Sequence, residues 1–155
     1  MDNRYIGIDD DRLRHMRGVG ERAAELGREL FNWDEEKCKQ MFVLGFLHDV
    51  GYQFSLDQLD HEEIGGNLLK DAGYAYWKEV FCHGNPNSDY WSDELLVLNL
   101  ADMETSKDGR RISMEERLLD IAQRYGADSK QYLQANKIVG QLQQKITRTE
   151  GTPTS

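Results

Sequence analysis

Proline occupies only two of the 155 positions, Pro86 and Pro153, and that scarcity constrains the fold more than any other feature. Proline removes a backbone donor and clashes with the preceding helical turn, so a chain almost without it is free to be helical. The apolar residues use that freedom at helical spacing. Between Asp11 and Phe31, the residues His15, Val19, Ala23, Leu26 and Leu30 recur every three or four positions as one face of an amphipathic helix. Asp34 is a suitable N-cap for a second helix, along which Cys38, Met41, Gly45, His48 and Tyr52 share a face. A third helix is expected from about Asp57 to Lys70, ending near Gly73, with His61, Ile64 and Leu68 aligned. A fourth carries "YAYWKEVFCHGN", sets Tyr76, Val80 and His83 on one face, and stops at Gly84 and Pro86. Ser92 or Asp93 caps a fifth, which aligns Leu95, Leu98, Asp102 and Thr105. The segments "SMEERLLDIAQRYG" and "SKQYLQANKIVGQLQQKI" give two more. No segment alternates with a period of two. The expectation is an all-α bundle of six to seven helices, one domain over residues 1–147, with a disordered polar tail over 148–155.

A formal charge of −9 argues against a general nucleic-acid or anionic-membrane surface. It leaves room for a small anionic ligand, because a bound cation reverses the local field. Cys38 and Cys82 form neither a disulfide framework nor a Cys-x-x-Cys zinc pattern. No apolar run reaches transmembrane length, and the start "MDNRYIGIDDDRLRH" lacks a signal-peptide core. A soluble protein of the reducing cytoplasm is expected.

In "GFLHDVGY", residues 45–52, an apolar run breaks at its centre for His48 and Asp49. A carboxylate taken out of water must find a partner or change its pKa. The four histidines all fall on or at the end of interior-facing stripes, in the order His15, His48–Asp49, His61, His83, and Asp102 follows in "LNLADMETS". Taken singly, each has an ordinary explanation. His15 could be a core imidazole bonded to a carbonyl, His61 a surface residue, and His83 a helix-dipole contact. Taken together, imidazoles and carboxylates suit a divalent transition metal. Neighbouring helical residues diverge by about 100°, so His48 and Asp49 share a centre only where the helix ends, and Gly51 supplies a plausible end. One carboxylate could then bridge two ions.

The order H…HD…H…H…D resembles the HD-domain superfamily of metal-dependent phosphohydrolases over roughly Asp11 to Tyr125. "HMRGVGERAAELG" is similar to that family's opening His helix, "FVLGFLHDVGY" to its HD motif, and "LLVLNLADMETS" to its closing Asp helix. The resemblance implies an HD-type helical bundle in which His15, His48, Asp49 and Asp102 are core metal ligands. His61, in "HEEIGG", and His83, in "CHGN", match the extra histidines of the branch that binds two metals. That branch includes the symmetrical diadenosine-tetraphosphate hydrolases and, more distantly, the cyclic-dinucleotide phosphodiesterases. The Gly-Tyr-Pro element of the latter is missing, since "HDVGY" has no proline. The implied cofactor is about two divalent transition-metal ions per chain, Fe or Mn first, with Zn, Ni, Co or Mg as alternatives.

The implied reaction is hydrolysis of a phosphate ester or anhydride in a nucleotide-like small molecule by metal-activated hydroxide, with His48 and Asp49 at its heart. Substrate phosphates need cations, and Lys107, Arg110 and Arg111 stand close after Asp102 as candidates for the pocket mouth. Arg14 and Arg17 flank His15, and all five could equally be solvated surface charges. Cys82, in the apolar "EVFCH", reads as an inert core thiol rather than a nucleophile. Neither nucleic acid nor membrane is an expected partner, and a homodimer is left open. The alternative function is a non-catalytic metal- or nucleotide-binding sensor on the same fold.

Overall fold

The computed structural model describes residues 7–54 and 60–150, with side chains as far as Thr147. Seven α-helices and a short 3₁₀ turn follow one another, and no strand occurs among the described residues. Helix α1 spans Asp10–Phe31; Asp9 caps it by accepting the Arg12 amide at 2.8 Å, and Asn32 ends it in a left-handed conformation. Helix α2 spans Glu35–Leu47, and the Asp34 carboxylate caps it through the Lys37 amide, also at 2.8 Å. A chain reversal of three residues thus joins α1 to α2. Their crossing depends on glycine: a Cβ on Gly45 would lie 2.6 Å from the Gly20 Cα and 2.8 Å from the Val19 carbonyl carbon. Gly27 meets Trp33 near the turn, so the pair runs antiparallel.

Helix α2 ends at the HD pair, as Gly51 suggested. His48 is its C-cap, Asp49 follows, and Val50–Gln53 form the 3₁₀ turn. Helix α3 spans His61–Asp71 with Asp60 as its N-cap, and the expected start at Asp57 lies outside the described residues. Gly51 and Gly66 let this part close up. A Cβ on Gly51 would fall inside the His61 carbonyl, and one on Gly66 would lie 2.5 Å from the Phe81 Cβ. Helix α4 is shorter than expected. It covers only Trp77–Cys82, because Tyr74–Tyr76 form a turn after Gly73, whose φ is +81°. His83 is its C-cap in extended backbone rather than part of the helix.

Helix α5, Asp93–Met103, is the spine. Every residue from Leu95 to Ala101 is buried, as for a helix enclosed on all sides, and Ser92 caps it through the Leu95 amide. Helices α6, Met114–Tyr125, and α7, Lys130–Glu150, complete the bundle. A Ser113–Glu116 capping box starts α6. Helix α7 runs past Thr147 into the stretch read from sequence as a disordered tail, and residues 151–155 lie outside the description. The core joins Val19, Ala23 and Leu26 of α1, Met41 and Leu44 of α2, Val80 of α4, α5, and Ile138, Val139 and Leu142 of α7. No helix among the described residues is long and apolar enough to cross a membrane.

Candidate metal centre

Five elements bring their polar residues to one point. His15 comes from the second turn of α1, His48 and Asp49 from the end of α2, His61 from the first position of α3, His83 from the end of α4, and Asp102 from the last turn of α5. His15, His48, Asp49, His61 and His83 are all buried, and the Asp102 side chain is 21% exposed.

Three of the imidazoles are oriented in the same way. His15 Nδ1 lies 2.8 Å from the Ser106 carbonyl, His48 Nδ1 2.6 Å from that of Gly45, and His83 Nδ1 2.5 Å from that of Val80. A carbonyl only accepts, so each Nδ1 must carry the proton and donate it. The Nε2 atoms then face inward, and what they face is carboxylate. His15 Nε2 is 3.0 Å from an Asp102 oxygen and 3.6 Å from Asp49 Oδ2. His48 Nε2 is 3.3 Å from Asp49 Oδ2 and 3.5 Å from Asp102. On the other side, His61 Nε2 and His83 Nε2 lie 3.4 and 3.5 Å from Asp49 Oδ1. The two oxygens of Asp49 therefore face different histidine pairs.

His48 Nε2 is fully buried and makes no hydrogen bond. A lone pair beside two carboxylates is repulsive unless a proton or a cation lies between them. Burial opposes charging of His48, but Asp49 and Asp102 outweigh it and push its pKa up to about 10. Burial likewise raises Asp49 and Asp102, and the facing histidines, His48 foremost, hold both well below the usual carboxylate range. The cluster is thus built around positive charge. Its donors fit a divalent transition metal, since imidazole nitrogens with carboxylate oxygens suit Mn, Fe or Zn better than Mg or Ca. Three groups have ligand atoms within 4.8 Å of one another: His15, His48 and Asp102; His48, Asp49 and His83; and His61, Glu62 and His83.

Two neighbours escaped the sequence reading. Glu62 stands 3.4 Å from His61 Nε2 and joins the second histidine pair. Its position in the first turn of α3 gave no signal, because acidic residues are ordinary there. Arg12 donates from Nη1 to Asp49 Oδ2 at 3.0 Å and lies 3.8 Å above the centroid of the Tyr52 ring, which stacks on His61 at 3.9 Å. A signal for Arg12 existed: it precedes His15 by three residues and so shares its helix face. Burial, then the charge of Asp49, pushes the Tyr52 hydroxyl up, so Tyr52 stays a neutral phenol beneath the guanidinium. The sequence-predicted cations lie elsewhere. Arg110 pairs with Asp108 at 3.1 Å, Arg111 with Glu25 at 2.7 Å, and Lys107 is exposed. Their loop reaches the centre through the Ser106 carbonyl instead. Arg14 pairs with Asp11 and Arg17 with Glu21, both on the surface. Cys82 is buried and unpaired with another cysteine.

The HD domain family model matches residues 12–128. The chain belongs to the HD domain family. The match opens three residues before His15 and closes beyond α6, so it spans every element that feeds the cluster. Comparison with curated proteins and with solved structures gave no match. HD domains bind divalent metals, and the clustered His and Asp residues of this chain are able to do so. The all-helical bundle is likewise that of an HD domain.

Proposed function

We propose that this HD domain is a metal-dependent phosphohydrolase that cleaves a phosphate ester or anhydride of a nucleotide-like molecule. The observation that carries the reading is the division of Asp49, whose two oxygens face separate histidine pairs. His15, His48, Asp102 and Asp49 Oδ2 would hold one divalent ion, and His61, His83, Glu62 and Asp49 Oδ1 a second. Such ions lower the pKa of coordinated water and polarise phosphoryl oxygens. The chain supplies the rest. Carbonyl bonds at Nδ1 fix the tautomer and direction of three imidazoles before anything binds, as second-shell bonds do at metal centres. Arg12, 3.8 Å above the Tyr52 ring centroid, would present a cation to the negative charge that spreads over phosphoryl oxygens at the transition state. We assign the exposed Lys107, Arg110 and Arg111 to the approach of an anion, where surface charge acts on encounter rate. Buried free thiols at Cys38 and Cys82 are in keeping with a reducing cytoplasm.

Hydrolysis of a panel of nucleoside monophosphates and dinucleoside polyphosphates with Mn²⁺ or Fe²⁺, followed by both inorganic phosphate and nucleotide products, tests the reading. The expected result is turnover that disappears in Asp49→Asn. Should the symmetrical-hydrolase resemblance extend to substrate, diadenosine tetraphosphate gives two ADP. Metal uptake without turnover on any member of the panel would instead favour the sensor.

A further inference from the structure

At the candidate metal centre lies a cavity of about 200 Å³ whose lining includes His61, Glu62 and Asp102 together with Arg117, Gln131 and Gln134. Arg117 belongs to α6, and its side chain is only 13% exposed. Its Nε and Nη1 are buried without a hydrogen-bond partner. The nearest acid, Asp120, does not satisfy it. That carboxylate lies 2.9 Å from Arg124 and 3.8 Å from Arg117 Nη1, too far for a hydrogen bond. A guanidinium removed from water with two idle donors is costly, and buried polar groups left in that condition call for an explanation.

We propose that Arg117 binds a second anionic group of the substrate, beside the phosphoryl group held at the metal centre. The inference rests on the phosphohydrolase reading and adds to it a substrate class: molecules with a further phosphate next to the reacting one. A planar guanidinium matches the oxygens of a phosphate, and in a chain of charge −9 the partly exposed Arg117 side chain that lines this cavity is a local positive charge. Gln131 and Gln134 line the same cavity with amide groups able to complete the contact, and Ile121 and Ile138 add apolar lining. Arg117 is a specificity-determining residue in this account, not a participant in bond cleavage.

The test compares ADP with AMP by titration calorimetry, on the Mn²⁺-loaded chain and again on the chelated chain. Wild type is expected to prefer ADP by about tenfold or more, as the loss of a charge-assisted contact implies. Arg117→Gln should bring the two affinities together and leave that for AMP unchanged, and Arg117→Lys should keep part of the preference. Circular dichroism checks that both variants remain helical. A preference undiminished in Arg117→Gln, or a wild type that shows none or binds neither nucleotide, overturns the assignment. Failure of the metal-centre reading shows separately, as absence of Mn²⁺ uptake, and the ratio on the chelated chain still reads Arg117.

Discussion

Replacing Asp49 by Asn keeps the shape of the side chain and removes its charge, which makes it the sharpest probe of the centre. Asp49 faces the Nε2 atoms of His15, His48, His61 and His83 within 3.6 Å and accepts from Arg12 at 3.0 Å. Two separable effects follow. Without metal, the variant leaves His48 and Arg12 short of a buried counter-charge, and breaking such a pair costs about 3–5 kcal/mol. With metal, one candidate ligand set loses its oxygen to an amide nitrogen and the other keeps only a neutral amide oxygen. Metal at about 1,000 times its Kd stabilises a native chain by about 4 kcal/mol, and a hundredfold weaker site leaves about 1.4 kcal/mol. For a chain of this length each kcal/mol moves Tm by about 2–4 °C. Saturating Mn²⁺ should therefore raise Tm by about 8–16 °C per occupied site in wild type and by about 3–6 °C in Asp49→Asn. Thermal unfolding followed by circular dichroism, with and without chelator, reads the metal-induced shift independently of the lower starting Tm. An Asp49→Asn chain with the full shift and wild-type turnover would refute the shared-carboxylate argument.

His61→Gln and His83→Gln should each lose about one metal ion per chain by elemental analysis while the His15–His48–Asp102 set stays loaded; unchanged content in both would leave a one-metal centre. Gly51→Ala would place a methyl group inside the His61 carbonyl, so it should cost at least the ~1–3 kcal/mol of ordinary overpacking and also weaken metal uptake; urea unfolding at wild-type stability would contradict the close approach. Away from the centre, Lys37 bridges α2 to Glu94 of α5 at 2.7 Å. Burial tends to raise the Glu94 pKa, but the Lys37 hydrogen bond outweighs it and the net shift is downward. A depressed native pKa contributes stability above the unfolded value, about 4.3, and loses it as pH falls through the native one. Glu94→Gln should thus cost about 0.5–1 kcal/mol at pH 7 and nothing once the wild-type carboxyl is protonated, so a difference that widened on acidification would be the wrong sign.

Helical periodicity exposed most of the architecture, because each long helix buries one face and caps itself locally. Asp34, Ser92 and Ser113 are caps by their own side chains, and such local bonds do not depend on the rest of the fold. The short α4 was not legible, since "YAYW" carries no breaker beyond Gly73 and its turn is set by packing. The histidines and the two aspartates stood out because polar residues on apolar stripes conflict with burial. Arg117 did not. It follows two glutamates in "MEERLL", and only the approach of α6 and α7 to α3 and α5 encloses it. Glu62 is a charge at a helix beginning, where surface positions are the common outcome, and tertiary contact alone separates it from Glu63, whereas Arg12 differs from Arg14 by sharing the helix face of His15.

The glycine crossing of α1 and α2 has a consequence for how such a protein tolerates change. At Gly20 and Gly45 the two backbones themselves touch, five residues after His15 and three before His48. The separation of these two histidines is therefore gauged by main chain against main chain and not by the girth of an intervening Leu or Met. Met41, Leu44 and Val19 can be exchanged for other apolar residues of similar total volume, with losses in stability, while the two imidazoles keep their spacing. A redesign of the interior, natural or deliberate, could be drastic so long as those two glycines are left in place.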